Sequence, residues 1–255
     1  MNYFTAVLAG ALQGLTEFLP ISSTGHLIIF EKIFNISQEQ FGLTFDASLH
    51  LGTLLAVILF FYKDYLKALT SQKSILLKLL LGTIPAVVAG VALEKAIETV
   101  FRQIEVVAIS LIIFSFVMIL AERIGQKTKD GQKINLLDSL IIGIFQALAL
   151  IPGISRSGST ISAGLFLGLS RYSAAKFAFL LSGPIIAGAG LKKFLEISFS
   201  QVSSQDFSFF VVGIISSAVF GYLTIKYFLK YLGTNSLYPF IIYRFIVGFA
   251  LLIFL

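Results

Sequence analysis

The stretch Gly10–His26, GALQGLTEFLPISSTGH, crowds a glutamine, a carboxylate, four hydroxyls and one of the chain's two histidines around Pro20. Such groups are expensive inside a bilayer, and an ionisable residue there marks a functional site by default. A second stretch, Gly143–Ser159, GIFQALALIPGISRSGS, lies on the first after a shift of 133 residues. Gln13 then falls on Gln146, Ser22 on Ser155 and Gly25 on Gly158, with the prolines one position apart. A weaker echo relates GTIPAVVAG (82–90) to SGPIIAGAG (182–190) at a different offset.

The surroundings of both stretches are apolar. The 255 residues are 57% hydrophobic and 13% charged, whereas soluble domains carry about 25% charged residues. The composition therefore reads as one integral membrane domain. Without cysteine, disulfides, thiolate metal sites and cysteine nucleophiles are excluded. The net charge of +6 points to loop orientation rather than to nucleic acid. The start, MNYFTAVLAGALQGL, lacks the basic region of a cleaved signal peptide and reads as part of the mature protein.

A bilayer core of ~30 Å takes about 20 apolar residues as helix. Six segments qualify: Leu43–Tyr62, Ile75–Glu94, Ile104–Ala121, Tyr172–Leu195, Phe207–Lys230 and Leu237–Leu255. Four are too short or run into a proline: Tyr3–Leu19, Gly25–Phe34, Asn135–Ile151 and Gly158–Leu169. Each short pair reads as a helical hairpin that enters the membrane and turns back. One hairpin and three spans per half, about 1–133 and 134–255, place the halves in opposite orientation. The expected fold is thus an all-α polytopic membrane protein, an inverted-topology repeat with two re-entrant helical hairpins and six transmembrane helices. Broken helices in corresponding positions of such repeats point to a midplane site.

Charge orients this frame. One side receives Lys63, Lys67, Lys73, Lys78, Arg123, Lys127, Lys129, Lys133, Arg171, Lys176, Lys226 and Lys230; the other receives Lys32, Lys95, Arg102, Lys192 and Lys193. The first side is cytoplasmic by the positive-inside rule. Both termini and the mouth of the first hairpin are then extracytoplasmic.

Arg156, in PGISRSGST (152–160), costs about 2.5–3.5 kcal/mol at a membrane centre on insertion scales. It needs Glu17 or an anionic ligand as partner. Ser155, Ser157, Ser159 and Thr160 supply hydroxyls, Gly153 and Gly158 let the backbone approach, and a helix N-terminus there favours phosphate. The first hairpin adds Ser22, Ser23, Thr24 and Gly25 at a second helix start, and His26 as a proton carrier. Gln13 and Glu17, four apart on one helix face, offer oxygens to a hard cation, Mg²⁺ or Ca²⁺. His50 reads as a pair with Asp46, either interfacial or part of the site. Arg244, deep in the last span, reads as a second phosphate contact. A hydroxyl and an imidazole three residues apart beside a carboxylate suit hydrolysis better than transport.

QGLTEFLPISSTGH and PGISRSGST, with GTIPAV (82–87) and YRFIVG (243–248), resemble the signature motifs of bacterial undecaprenyl-diphosphate phosphatases, the bacitracin-resistance family, along nearly the whole chain. The resemblance implies hydrolysis of undecaprenyl diphosphate to undecaprenyl phosphate and inorganic phosphate, recycling the carrier lipid of cell-wall synthesis. It implies a site in the bacterial plasma membrane open to the periplasmic face, a divalent cation, and a substrate shared with bacitracin. Transferred by position, Gln13 and Glu17 form the acidic motif, Ser23, Thr24 and His26 come from SSTGH, and Ser155, Arg156 and Ser157 from SRSG. Relatives often carry glutamate at the position of Gln13, so glutamine implies weaker metal ligation there. The motifs also echo membrane phosphatidic-acid phosphatases, which need a histidine nucleophile further downstream; this chain has none after His50. Ser23, His26 or a cation-bound water is the nucleophile on this reading, and a polyprenyl-phosphate transporter is the alternative function.

Overall fold

The computed structural model describes residues 2–34, 36, 43–125, 127–196 and 204–254. Leu255, which the sequence assigns to the last span, and the side chains of Lys192 and Lys193, counted with the outer loops, lie outside the described set. Among the described residues the chain is all-helical. Its α-helices are α1 Tyr3–Phe18, α2 Ser23–Ile33, α3 Leu43–Phe60, α4 Tyr62–Thr70, α5 Lys73–Ala92, α6 Glu94–Glu98 and α7 Ile104–Ile124, then α8 Leu136–Leu148, α9 Arg156–Phe166, α10 Arg171–Glu196, α11 Ser204–Leu232 and α12 Tyr238–Phe254.

Four of these are long and apolar enough to cross a membrane, within α5, α7, α10 and α11. A fifth exists if α3 and α4 count as one span, but they are bent by 71° at Phe61. The sixth expected span is α12, 17 residues long, about 26 Å at ~1.5 Å per residue. The four short segments form helices within a few residues of the expected bounds. The helices α1, α2, α8 and α9 have 16, 11, 13 and 11 residues.

Local chemistry sets these ends. Asn135 starts α8 with a capping box, its side chain accepting from Asp138 N while Asp138 accepts from Asn135 N; this satisfies donors the first helical turn leaves open. Pro20 and Pro152 each follow the last turn of a helix, where a missing N–H and a ring clash stop propagation. The chain then reverses through Ser22 (φ 74°) and Ser155 (φ 76°), two left-handed residues that cap the following helices by accepting from Gly25 N and Gly158 N. The left-handed region is unfavourable for serine by about 1–3 kcal/mol and persists where neighbours over-determine it.

Packing is by small residues, as expected where lipid removes the hydrophobic drive between helices. A methyl group on Gly10 of α1 would stand 2.5 Å from the Gly213 carbonyl of α11, and one on Gly143 of α8 would stand 2.3 Å from the Gly82 carbonyl of α5. Hydroxyl bonds tie the same pairs: Ser216 to the Val7 carbonyl at 2.8 Å and Ser139 to the Lys78 carbonyl at 2.5 Å. Thus α1 lies against α11 and α8 against α5, each pair distant in sequence. Between them a core around Phe18, Met118, Phe179, Leu181 and Ile225 is closed off from the surface, while Val91, Ile113, Ile246 and Ile253 stand exposed.

Pro184 interrupts α10 and leaves the Leu180 carbonyl without its helical donor. The Tyr65 hydroxyl of α4 donates to that carbonyl at 2.8 Å, and Lys176 of α10 pairs with Asp64 of α4 at 2.8 Å. The turn of α10 beyond the proline forms one wall of the cavity described next.

Candidate active site

The tips of the two hairpins meet. Ser22 Oγ accepts from Gly153 N at 3.0 Å, and Ser157 Oγ donates to the Leu19 carbonyl at 2.9 Å. Gly153 has φ 97°, and a methyl there would strike the Val107 carbonyl at 2.4 Å, so only glycine fits this turn.

Arg244 locks the arrangement. It is fully buried and donates to Ser115 Oγ (3.0 Å) and to the carbonyls of Pro20 (3.3 Å), Leu111 (3.2 Å) and Gly153 (2.9 Å). One guanidinium therefore binds peptide oxygens from both hairpin turns, which helix geometry leaves unpaired. The expected phosphate contact at Arg244 is corrected accordingly: its donors face backbone carbonyls, and the residue is absent from the cavity wall.

Beside the tips opens a cavity of about 300 Å³. Glu17, Ser22, Ser23, Thr24, Ser155 and Arg156 line it, joined by Asp46, His50 and Arg102; Leu27, Leu150, Ile185 and Ile186 supply apolar wall. Six expected site residues from two distant stretches thus reach one space. Gly25, Ser157 and Gly158 sit behind the wall, where their backbone and hydroxyl groups build the turns.

Glu17 is the hub. Its Oε2 accepts from Ser23 Oγ at 2.5 Å and from Gln13 Nε2 at 3.1 Å, and its Oε1 accepts from Arg156 Nη2. The carboxylate is buried, and removing one partner of such a pair costs about 3–5 kcal/mol because the other is left uncompensated. Arg156 is only half satisfied by Glu17: among the described residues its Nη1 is buried without a partner. A donor of that kind, flanked by Ser23, Thr24 and Ser155, suits an incoming phosphate oxygen.

The two histidines part company. Nδ1 of His26 lies 2.7 Å from the Ser22 carbonyl and Nε2 lies 2.7 Å from the Tyr243 hydroxyl. A carbonyl only accepts, so Nδ1 carries the proton and Nε2 accepts from the tyrosine. His26 is therefore engaged at both nitrogens and is not part of the cavity wall; it braces the Ser22 turn. His50 is on the wall, with Nε2 3.9 Å from Glu17 Oε2. Its Nδ1 bonds the Asp46 backbone carbonyl at 2.8 Å, so the expected pair with Asp46 forms through the main chain and not through the Asp46 carboxylate. That carboxylate turns instead to Arg102.

Of the two expected cation ligands, only Glu17 reaches the cavity wall. Gln13 is buried behind Glu17, turns its amide N–H towards the carboxylate and does not reach the cavity wall. Among the described residues no three His, Asp or Glu side chains converge as metal ligands. Glu17 already accepts from three donors.

No motif or spacing points to Arg102; Asp46 enters the sequence reading only as the partner of His50, and Tyr243 only as the first residue of YRFIVG. Arg102 lies 56 and 71 positions from its partners, beyond any local pattern.

A family profile described as "Bacitracin resistance protein BacA" matches residues 6–250. The chain is 45% identical over 252 residues to an undecaprenyl-diphosphatase of Thermodesulfovibrio yellowstonii, covering 99% of this chain and 96% of that protein. It is 41% identical over 259 residues to one from Rubrobacter xylanophilus, covering 96% and 95%. To one from Elusimicrobium minutum it is 43% identical over 262 residues, covering 99% and 98%. A cavity built by two interlocked hairpin tips, and likeness over the length of both partners, lead to one conclusion: the chain belongs to the bacitracin resistance protein BacA family.

Proposed function

We propose that this protein hydrolyses undecaprenyl diphosphate to undecaprenyl phosphate and inorganic phosphate. The observation that carries it is the convergence of Ser23, Glu17 and Arg156, from opposite hairpins, on one cavity. The relatives' names are phosphatase names, which favours hydrolysis over transport.

The geometry supports a nucleophilic route. Ser23 Oγ attacks the terminal phosphorus while its proton passes to Glu17 Oε2, the oxygen it already faces. The bond between that phosphorus and the bridging oxygen breaks, and its electron pair leaves with the lipid phosphate. Arg156 holds the oxygens that gain charge, the main task in phosphoryl transfer. Water then cleaves the phosphoserine, and Glu17 returns a proton to Ser23. His50 is the imidazole placed to exchange that proton with Glu17. No step is assigned to a divalent cation; Glu17 and the substrate's own phosphates would hold one, and chelation tests the requirement.

The finer architecture is part of the proposal: an inverted repeat of two hairpins and six spans, with halves at about 1–133 and 134–255. The matching left-handed serines and the reciprocal packing of α1 on α11 and α8 on α5 support it. The charge distribution supports a cavity open to the outer face of the plasma membrane with both termini outside. Arg102, from an outer loop on that count, stands on the cavity wall. Bacitracin, which binds the same substrate, would then compete outside the membrane.

The test is phosphate release from a long-chain prenyl diphosphate by purified protein, with and without EDTA, compared with Arg156→Ala. Steady release by the wild type and its collapse in the variant are expected. No release by a folded wild type under either condition would end the phosphatase reading.

A further inference from the structure

Arg102 sits in the turn between α6 and α7, outside every motif of the sequence, yet it shares a cavity with Ser23 and Arg156. Its Nη2 approaches Asp46 Oδ2 at 3.3 Å and Glu31 Oε2 at 3.4 Å. Strong charge-assisted N–H···O bonds close to about 2.7–2.9 Å, so these carboxylates aim the guanidinium without saturating it. A guanidinium has five N–H donors, and among the described residues Arg102 Nε is buried without a partner. The side chain is only 13% exposed. A buried donor left unmade is costly, and a further acceptor would remove that cost. Arg156 is in the same condition: steered by one carboxylate, with one buried nitrogen unpartnered. The cavity therefore presents two incompletely satisfied guanidiniums, and the substrate class presents two linked phosphates.

We propose that Arg102 is a second phosphate subsite, binding the lipid-linked phosphate of a prenyl diphosphate while Arg156 and Ser23 take the terminal one. The proposal rests on the phosphatase reading and deepens it. The bond that breaks lies between the two phosphates, so the departing lipid phosphate gains a negative charge as the electron pair of the bridge leaves with it. Arg102 neutralises that charge and makes the site read a diphosphate rather than any phosphate ester.

A purely structural role predicts something different. As a staple between α2, α3 and the α6–α7 turn, Arg102 would need Asp46 as much as Asp46 needs Arg102. As a subsite, its guanidinium is contested between Asp46 and the substrate. Substitution at the two positions then moves affinity in opposite directions.

The experiment uses full-length protein in detergent. It measures KM for farnesyl diphosphate, calorimetric binding of farnesyl monophosphate, and inhibition by inorganic phosphate, for wild type, Arg102→Gln and Asp46→Asn. Arg102→Gln should weaken farnesyl diphosphate and farnesyl monophosphate about tenfold or more, the loss of a charge-assisted hydrogen bond. Inhibition by inorganic phosphate, seated at Arg156, should stay within about twofold, as separate contacts are nearly additive. Asp46→Asn should leave the monophosphate as tight as in wild type or tighter. Unchanged monophosphate binding in Arg102→Gln overturns the proposal, and so does weakening by both variants alike. If the wild type released no phosphate, the phosphatase reading would fall, while the monophosphate titrations would still decide whether Arg102 binds a lipid phosphate.

Discussion

The two hairpins share a backbone and differ in chemistry. Each ends a helix at a proline, reverses through a left-handed serine, and opens a short helix capped by that serine. At the first position of the second helix one hairpin carries Ser23 and the other Arg156, residues that coincide under the 133-residue shift. Under the same shift Glu17 coincides with Leu150, and both line the cavity. On the proposed mechanism, one geometric device delivers a nucleophile with its base from one side and a cationic clamp with apolar wall from the other. On that reading the shared turn supplies position, and the residues that differ between the two hairpins supply the reaction.

The largest expected effect comes from removing the clamp. Arg156→Ala should lower kcat/KM by about 10³-fold or more, the scale of an arginine acting on a transferring phosphoryl group. Arg156→Lys should recover only part, since it keeps the charge and loses the fork. Near-normal turnover in Arg156→Ala would reduce the second hairpin to scaffold. On the first hairpin, Glu17→Gln should lower kcat by about 10²–10⁴-fold, as loss of a positioned base does. Phosphate-release kinetics on protein of unchanged elution volume would read both.

Arg244 tests the joint between the hairpins. Arg244→Met strips donors from the carbonyls of Pro20 and Gly153, each costing about 1–3 kcal/mol when left unmade, while the Leu111 carbonyl keeps the Ser115 hydroxyl. Thermal unfolding in detergent should show a large drop in Tm; an unchanged Tm would contradict the staple. The smallest effects concern the shared packing. Gly10→Ala and Gly143→Ala should each destabilise by about 1–3 kcal/mol through overpacking, and by similar amounts. A marked difference between them would sharpen where the two halves have diverged.

The sequence revealed the hairpins because their signals are local: a proline stop, a small polar run and an arginine that apolar surroundings make conspicuous. It did not reveal the 71° bend between α3 and α4, since Phe60–Phe61–Tyr62 contains no helix breaker. Arg244 stands out in the sequence as an arginine in an apolar run, but its partners do not. What awaits a cation there is the set of peptide carbonyls that two tight turns leave unpaired, and turns are visible only in three dimensions. Likewise His50 and Arg102 join the site through packing of α3 and the α6–α7 turn against the hairpins. His26, almost one turn on from Ser23, lies off the cavity wall and meets Tyr243.

The central claim is that the two tips place Ser23 to take the phosphoryl group. Its most direct test is phosphate release from prenyl diphosphate by Ser23→Ala, with fold and farnesyl monophosphate binding retained. A loss of at least about 10²–10³-fold in kcat is expected, since without the hydroxyl only the binding and electrostatic parts of the site remain. Turnover within about threefold of wild type, a difference under ~1 kcal/mol in barrier, would contradict it and assign the attack to another group.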